Sequence, residues 1–209
     1  EVEVDFQDGL GDLCSIVEDV WVSPDGDDTN LGTSQSEAFL TIERALEMIA
    51  PQDDDPVTIF LTEGTFSPSN TGETFPIVMI SNVSLIGQGE ELTIIDAENS
   101  ATVIVISFCV NISIENLTVT GGNASPSNSG GLSQGGGMYI DTSNPNIYNV
   151  TITDNYALEA GGGIYIKLSG PNLSNMTISG NNTLGSGGGI YCEVSNLEIN
   201  NTIIHNNDH

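Results

Sequence analysis

The phrase GGGMYI at residues 135 to 140 returns as GGGIYI at 161 to 166 and as GGGIYC at 187 to 192, a stride of 26 residues each time. A second phrase keeps step with it: NVTITDN from Asn149, NMTISGN from Asn175 and NTIIHNN from Asn201. Two different phrases with one period require stacked units that each touch only their neighbours. Inside a unit, Val150, Ile152, Met176 and Ile178 alternate with Thr151, Thr153, Thr177 and Ser179, which is strand periodicity and not helix periodicity. The expected fold is therefore all-β: a right-handed parallel β-helix in which one 26-residue repeat makes one coil, with coils about 4.8 Å apart.

This register makes specific claims. Met138, Ile164 and Ile190 should share one inward file, and Ile140, Ile166 and Cys192 the next. Tyr139, Tyr165 and Tyr191 should point outward, one above another, while the glycines form the corner before them. Asn155, Asn181 and Asn207 should sit at matching turns and hydrogen-bond along the stack through their amides. Upstream, Asn116 precedes Asn149 by 33 residues, one period plus an insertion of 7 that falls in the loop from Ser125 to Ser133. Less regular strands are expected at Val57 to Leu61, Val83 to Ile86, Leu92 to Ile95, Val103 to Ile106 and Ile112 to Ile114. One helix is expected, from Thr41 to Ala50. Thr41 would cap it, Ile42, Ala45, Leu46 and Ile49 would form its apolar face, and Pro51 would stop it. It is a lid for the first coil. The chain thus divides into an extension (1–19), a strand with acidic loop and capping helix (20–56), and the solenoid (57–209), regular from 135.

The segments WVSPDGDDTNLGTSQSEAFLTIERALEMI, VTIFLTEGTF, GETFPIVMISNVSLIGQG and TIID, between residues 21 and 96, resemble the N-terminal part of pectate-lyase-like secreted β-helix proteins. The C-terminal repeats are similar to those of polymorphic outer membrane proteins and related adhesin-type β-helices. The resemblance implies a right-handed parallel β-helix in an exported protein. It leaves activity open, because lyases, hydrolases, adhesins and structural fibres share this fold.

Charge narrows the partners. With 29 acidic against 2 basic side chains, a formal net charge of -27, the chain has nothing with which to neutralise phosphates, which excludes nucleic acid. No apolar run approaches the roughly 20 residues that span a bilayer, so no transmembrane segment is expected. No signal peptide is visible, and a first residue of Glu1 instead of Met suggests a leader that has been removed or lies outside these residues. Of the three cysteines, Cys14 and Cys109 are the candidate disulfide, with Cys192 then buried and inert; three unpaired thiols are the alternative.

Catalysis by a lyase would need a base, and only Arg44 and Lys167 qualify. Arg44 belongs to the lid helix, which leaves Lys167 as the candidate. Against it, a strongly acidic protein repels a polyanionic substrate. The outward tyrosines Tyr139, Tyr165 and Tyr191 would form a flat aromatic strip for sugar rings or another protein, or would simply support one another. Asp25, Asp27, Asp28 and Asn30 crowd one loop with hard oxygen ligands, which suits Ca2+ as a cofactor. Glycosylation sequons stand at Asn82, Asn111, Asn116, Asn123, Asn149, Asn172, Asn175, Asn181 and Asn200.

The third asparagine phrase runs into His209, so an open last edge is expected, and either the molecule continues beyond residue 209 or another subunit covers that edge. The alternating stretch Glu1 to Phe6 is a candidate donor strand for such an edge on another copy. The sequence therefore reads as an exported cell-surface structural or adhesive module, self-associating through its ends. The alternative is a carbohydrate-active enzyme or glycan-binding module, with carbohydrate as its partner.

Overall fold

A computed structural model describes residues 16–127 and 131–209. The chain winds as a right-handed parallel β-helix with every pairing between strands parallel. Three faces run along it. The long face is an 11-stranded sheet that starts at Val20–Val22 and ends at Glu198–Asn200 and Ile203–His205. The tyrosine face has five strands: Ile77–Val78, Ile104–Ser107, Met138–Asp141, Ile164–Lys167 and Ile190–Glu193. The short face has three: Asn123–Ala124, Tyr156–Ala157 and Asn182–Thr183.

The expected register is the observed one. Met138 pairs with Ile164 and Ile164 with Ile190; Tyr139, Tyr165 and Tyr191 follow one residue later. The insertion also lies where the period places it, since Val150 pairs with Leu117 and Thr151 with Thr118. Ile104, Ile140, Ile152, Ile164, Ile166 and Ile178 are fully buried, so the core is a set of continuous aliphatic files. Burial of each such side chain contributes about 1.5–3 kcal/mol.

The glycine phrase has two causes. Gly161 takes φ +63°, a left-handed corner open to glycine at no steric cost. At Gly162 the constraint is crowding, because a Cβ would lie 2.4 Å from the Asn182 carbonyl oxygen and 2.6 Å from that of Gly188.

Polar ladders lock the coils. Asn155 Nδ2 donates to Asn181 Oδ1 at 2.9 Å, and Asn181 Nδ2 donates to Asn207 Oδ1 at 2.9 Å. The same oxygens accept the backbone N–H of Asn155 and Asn181, both at 3.1 Å. Asn155 and Asn181 are buried, and their amides also close onto carbonyls of Thr153, Val119, Ile152 and Ser179. Fully satisfied buried networks of this kind rigidify a core. A second ladder joins Ser143, Ser169 and Ser195, whose hydroxyls accept backbone N–H groups from the coil before. Cys109 holds the equivalent place in its own coil, donating from Sγ to the Ser107 and Met79 carbonyls, each at 3.3 Å.

The helix is shorter than expected. α1 spans Ile42–Met48, and Thr41 caps it by accepting the Arg44 N–H. Ile42 and Ala45 are buried, and the helix packs on the Val20–Val22 strand. The edge of that strand is taken: Phe39 N donates to the Trp21 carbonyl and Ser23 N to that of Phe39. Ile16 pairs with Ile49, whereas residues 1–15, with the candidate donor strand and Cys14, lie outside the described residues. In the last coil Ile199, Ile203 and Ile204 are exposed. Cys192 is exposed there as well, not buried as the repeat implied, because no described coil lies above it.

Candidate functional site

Tyr139, Tyr165 and Tyr191 do form one outward file, but its geometry differs from a flat strip. The ring centroids are 5.4 and 5.6 Å apart, with interplanar angles of 13° and 5°. The faces of the rings are therefore turned to one another, within the range of favourable aromatic pairs. Tyr165 is only 5% exposed, and its hydroxyl donates to Glu193 Oε2. Burial first, and then that bond, push the Tyr165 hydroxyl well above its usual range. Tyr139 is shifted the same way, first by burial and next by the Asp141 carboxylate. The file supports the sheet and presents edges and hydroxyls outward.

Lys167 is placed between two acids on the neighbouring coils. Asp141 and Glu193 are its partners in register on the coils to either side. Among the described residues the one ion pair within 4.0 Å is Arg44 with Glu47 at 3.4 Å, on the exposed side of α1.

In the loop with Asp25, Asp27, Asp28 and Asn30, the Asp27 side chain bonds within the loop while Asp28 and Asn30 reach the segment that leads into α1. Asp27 Oδ1 accepts from the Thr29 backbone and hydroxyl at 2.8 and 2.7 Å, bonds that hold its carboxyl below the usual range. Asp28 accepts the Leu40 and Thr41 N–H groups and the Thr41 hydroxyl, and Asn30 donates to the Ala38 carbonyl. Among the described residues no group of three or more His, Cys, Asp or Glu side chains is placed to hold a metal ion. This is a corner that organises the entry to α1.

One buried acid was not visible from the sequence. Glu73 accepts the Ile42 N–H at 2.7 Å and the Glu43 N–H at 2.9 Å, closing the start of α1 from a loop some 30 residues away. Burial raises its carboxyl to about 7, against the opposing effect of those two N–H groups. It belongs to no repeat, so no spacing announces it.

The sequons have a structural origin. Asn82, Asn111 and Asn175 take positive φ, from 53° to 64°, just before a strand, and Asn116 and Asn149 take φ 58° and 53° at a bend inside the strands Ser113–Thr120 and Asn146–Thr153. Asparagine tolerates that conformation, and the outward Thr or Ser two residues on completes the motif by strand alternation. Asn82 and Asn181 are buried, and Asn181 belongs to the interior ladder, which removes both as acceptors for a glycan. Asn111 and Asn200 are exposed; Asn116, Asn123, Asn149, Asn172 and Asn175 are half-buried. Cys109 is a free buried thiol, raised by that burial, while its expected partner Cys14 lies outside the described residues.

The long face holds the remaining candidate. Ser113, Glu115, Asn146, Ile147, Tyr148, Asn172 and Ser174 line a shallow groove of about 340 Å³. Tyr148 is 47% exposed and stacks on no other ring among the described residues. The registers Ser113, Asn146, Asn172 and Glu115, Tyr148, Ser174 put hydroxyls and amides around its ring at fixed rung spacing. That combination binds a flat molecule with an apolar face and polar edges.

The family described as "Protein of unknown function (DUF1565)" matches residues 24–208. The chain belongs to that family. Among curated proteins nothing matches. Among solved structures, pectin methylesterase PemA from Erwinia chrysanthemi superposes with a TM-score of 0.55 at 16% identity, over 79% of this chain and 52% of that one. A pectin methylesterase from Yersinia enterocolitica gives 0.51 at 20% identity over 77% and 55%. Pectate lyase Pel9A gives 0.52 at 13% over 88% and 62%. These likenesses show a shared pectate-lyase-like fold. The chain spans about half the length of the pectin methylesterases it matches. Among the described residues no helix is long and apolar enough to cross a membrane.

Proposed function

We propose that this protein is an extracellular adhesive β-helix module that binds neutral carbohydrate in the Tyr148 groove. The observation that carries the reading is Tyr148 itself, an exposed ring set among Ser113, Asn146, Asn172 and Ser174 on a laddered, rigid face. A sugar ring offers that groove an apolar face to lie on the tyrosine and hydroxyls for the amides and hydroxyls around it. Neutral glycans suit it, because a net charge of -27 disfavours a polyanion. The carbohydrate-acting proteins of the same fold lend further support. The extracellular placement comes from the secreted β-helix proteins that the N-terminal segments resemble.

The second reading is catalysis by Lys167, favoured by the Asp141 and Glu193 carboxylates on either side of it. Titration calorimetry against soluble neutral polysaccharides separates the two. The expected result is binding that Tyr148→Ala weakens at least tenfold, with no product released by the parent protein. Equal affinity in the variant overturns the groove. Product release that disappears with Lys167→Ala replaces binding by catalysis.

A further inference from the structure

Each regular coil bends through left-handed residues at several corners, and most obey the usual steric preference. One corner uses Asn116, Asn149, Asn175 and Asn201; another uses Gly121, Asp154, Gly180 and Asn206; a third uses Gly135, Gly161 and Gly187. The corner after the tyrosine face does not. It holds Phe108, Thr142, Leu168 and Val194 at φ 56°, 49°, 48° and 50°. Glu98 apart, every other described residue with positive φ is Gly, Asn or Asp. A bulky or β-branched residue there is a true outlier, and strain of this kind persists where the surroundings enforce it and function uses it.

The strained side chains do not pack inward. Phe108 is 74% exposed, Leu168 54% and Val194 79%. They are aligned, because Ser107, Asp141, Lys167 and Glu193 pair in register just before them. Backbone bonds continue that alignment: Phe108 N donates to the Asp141 carbonyl, Thr142 N to that of Lys167, and Leu168 N to that of Glu193. The result is a ridge about 14 Å long, three steps of about 4.8 Å, apolar at Phe108, Leu168 and Val194 and polar at the second coil, where the Thr142 hydroxyl donates to Asp141 Oδ1. Asparagine at the other corner shows what a purely structural solution looks like. Here the chain accepts strain and solvent-exposed apolar surface together.

We propose that this ridge is the docking site for a cationic, apolar-faced polypeptide segment of a partner protein. Phe108, Leu168 and Val194 supply the apolar contact and have no polar atoms to engage a sugar. Asp141 and Glu193 flank the ridge in a file where Lys167 is the single cation. The formal net charge of -27 favours a basic partner and opposes a second copy of this chain. An exposed, rimmed apolar patch is the usual mark of such a surface. The inference stands apart from the Tyr148 groove and uses none of its residues.

The test is a triple variant, Phe108→Asn with Leu168→Asn and Val194→Asn, which removes the ridge and leaves the charge unchanged. The probe is a synthetic amphipathic Leu/Lys peptide, measured by titration calorimetry at physiological ionic strength. The expected result is at least tenfold weaker binding by the variant together with a higher melting temperature, about 2 °C or more per position, because asparagine accepts left-handed φ more readily. Equal affinity for the peptide overturns the proposal, since attraction to charge alone would survive in the variant. A lower melting temperature also overturns it, since the side chains would then be structural. A wild-type dimer in sedimentation that the variant fails to form assigns the ridge to a second copy and overturns it as well. If the triple variant does not fold, Phe108→Asn and Val194→Asn are read singly by the same criteria.

Discussion

The regular coils and the N-terminal cap solve the same problem, satisfying backbone N–H groups, with opposite chemistry. From Met138 onward the coils use neutral residues that bond to copies of themselves, Asn155 to Asn181 to Asn207 and Ser143 to Ser169 to Ser195. The cap uses single carboxylates, each with its own target: Asp28 holds Leu40 and Thr41, Glu73 holds Ile42 and Glu43, and Asp19 accepts the Thr58 N–H. A repeated neutral ladder is insensitive to pH, and one broken rung disturbs the coils on both sides. These carboxylate contacts are local, and the one at Glu73 titrates. The contrast teaches that one chain can carry a robust solenoid and a pH-sensitive end.

Removing a rung gives the largest expected effect. Asn181→Ala strips partners from Asn155, Asn207, Ile152 and Ser179 at once, and should cost about 3–5 kcal/mol. Urea denaturation at pH 5 and at pH 7 should show the same loss at both; a loss that changes with pH would break the comparison.

Glu73 comes next. Its carboxyl rises from 4.5 to about 7 on folding, so the native state holds the proton more tightly than the unfolded chain. The stabilisation is complete below pH 4.5 and is lost as pH rises through about 7, a change on the order of 3 kcal/mol. Glu73→Gln should flatten the stability profile across that window. An unchanged profile in the variant would assign the pH dependence elsewhere.

Gly162→Ala forces a Cβ against two backbone oxygens and should cost about 1–3 kcal/mol. Thermal unfolding checks it against Gly72→Ala, where space is open around the site but φ is +76°, so that only strain is felt. The smallest effect should be Cys109→Ser. Serine fills the equivalent place in the coils above, so the change in stability should stay within about 1 kcal/mol. A larger loss would show that the ladder position is not equivalent from coil to coil.

Much of this was legible before any coordinates. The stride of 26 placed the strand partners, the tyrosine file and the asparagine ladder, because in a solenoid residues one period apart are neighbours. The insertion before Asn146 was legible for the same reason. The candidate site was harder. Tyr148 occupies a file with Glu115 and Ser174, and since that file repeats no residue type it raised no signal. The aspartates around Asp27 looked like ligands because sequence proximity counts oxygens and not the N–H groups they face. Asn181 matched a sequon, yet it points inward.

The sequence by itself determined the coil, its register and its acidity, properties carried by periodicity and composition. Only the tertiary structure decided which side of each corner a residue occupies. Glu73 meets α1 across a loop, Tyr165 is hidden by its two neighbours, and Phe108, Leu168 and Val194 stand exposed on a strained bend. The reason is physical: a repeat records what lies directly above and below, whereas burial and backbone handedness depend on how the faces close around the coil.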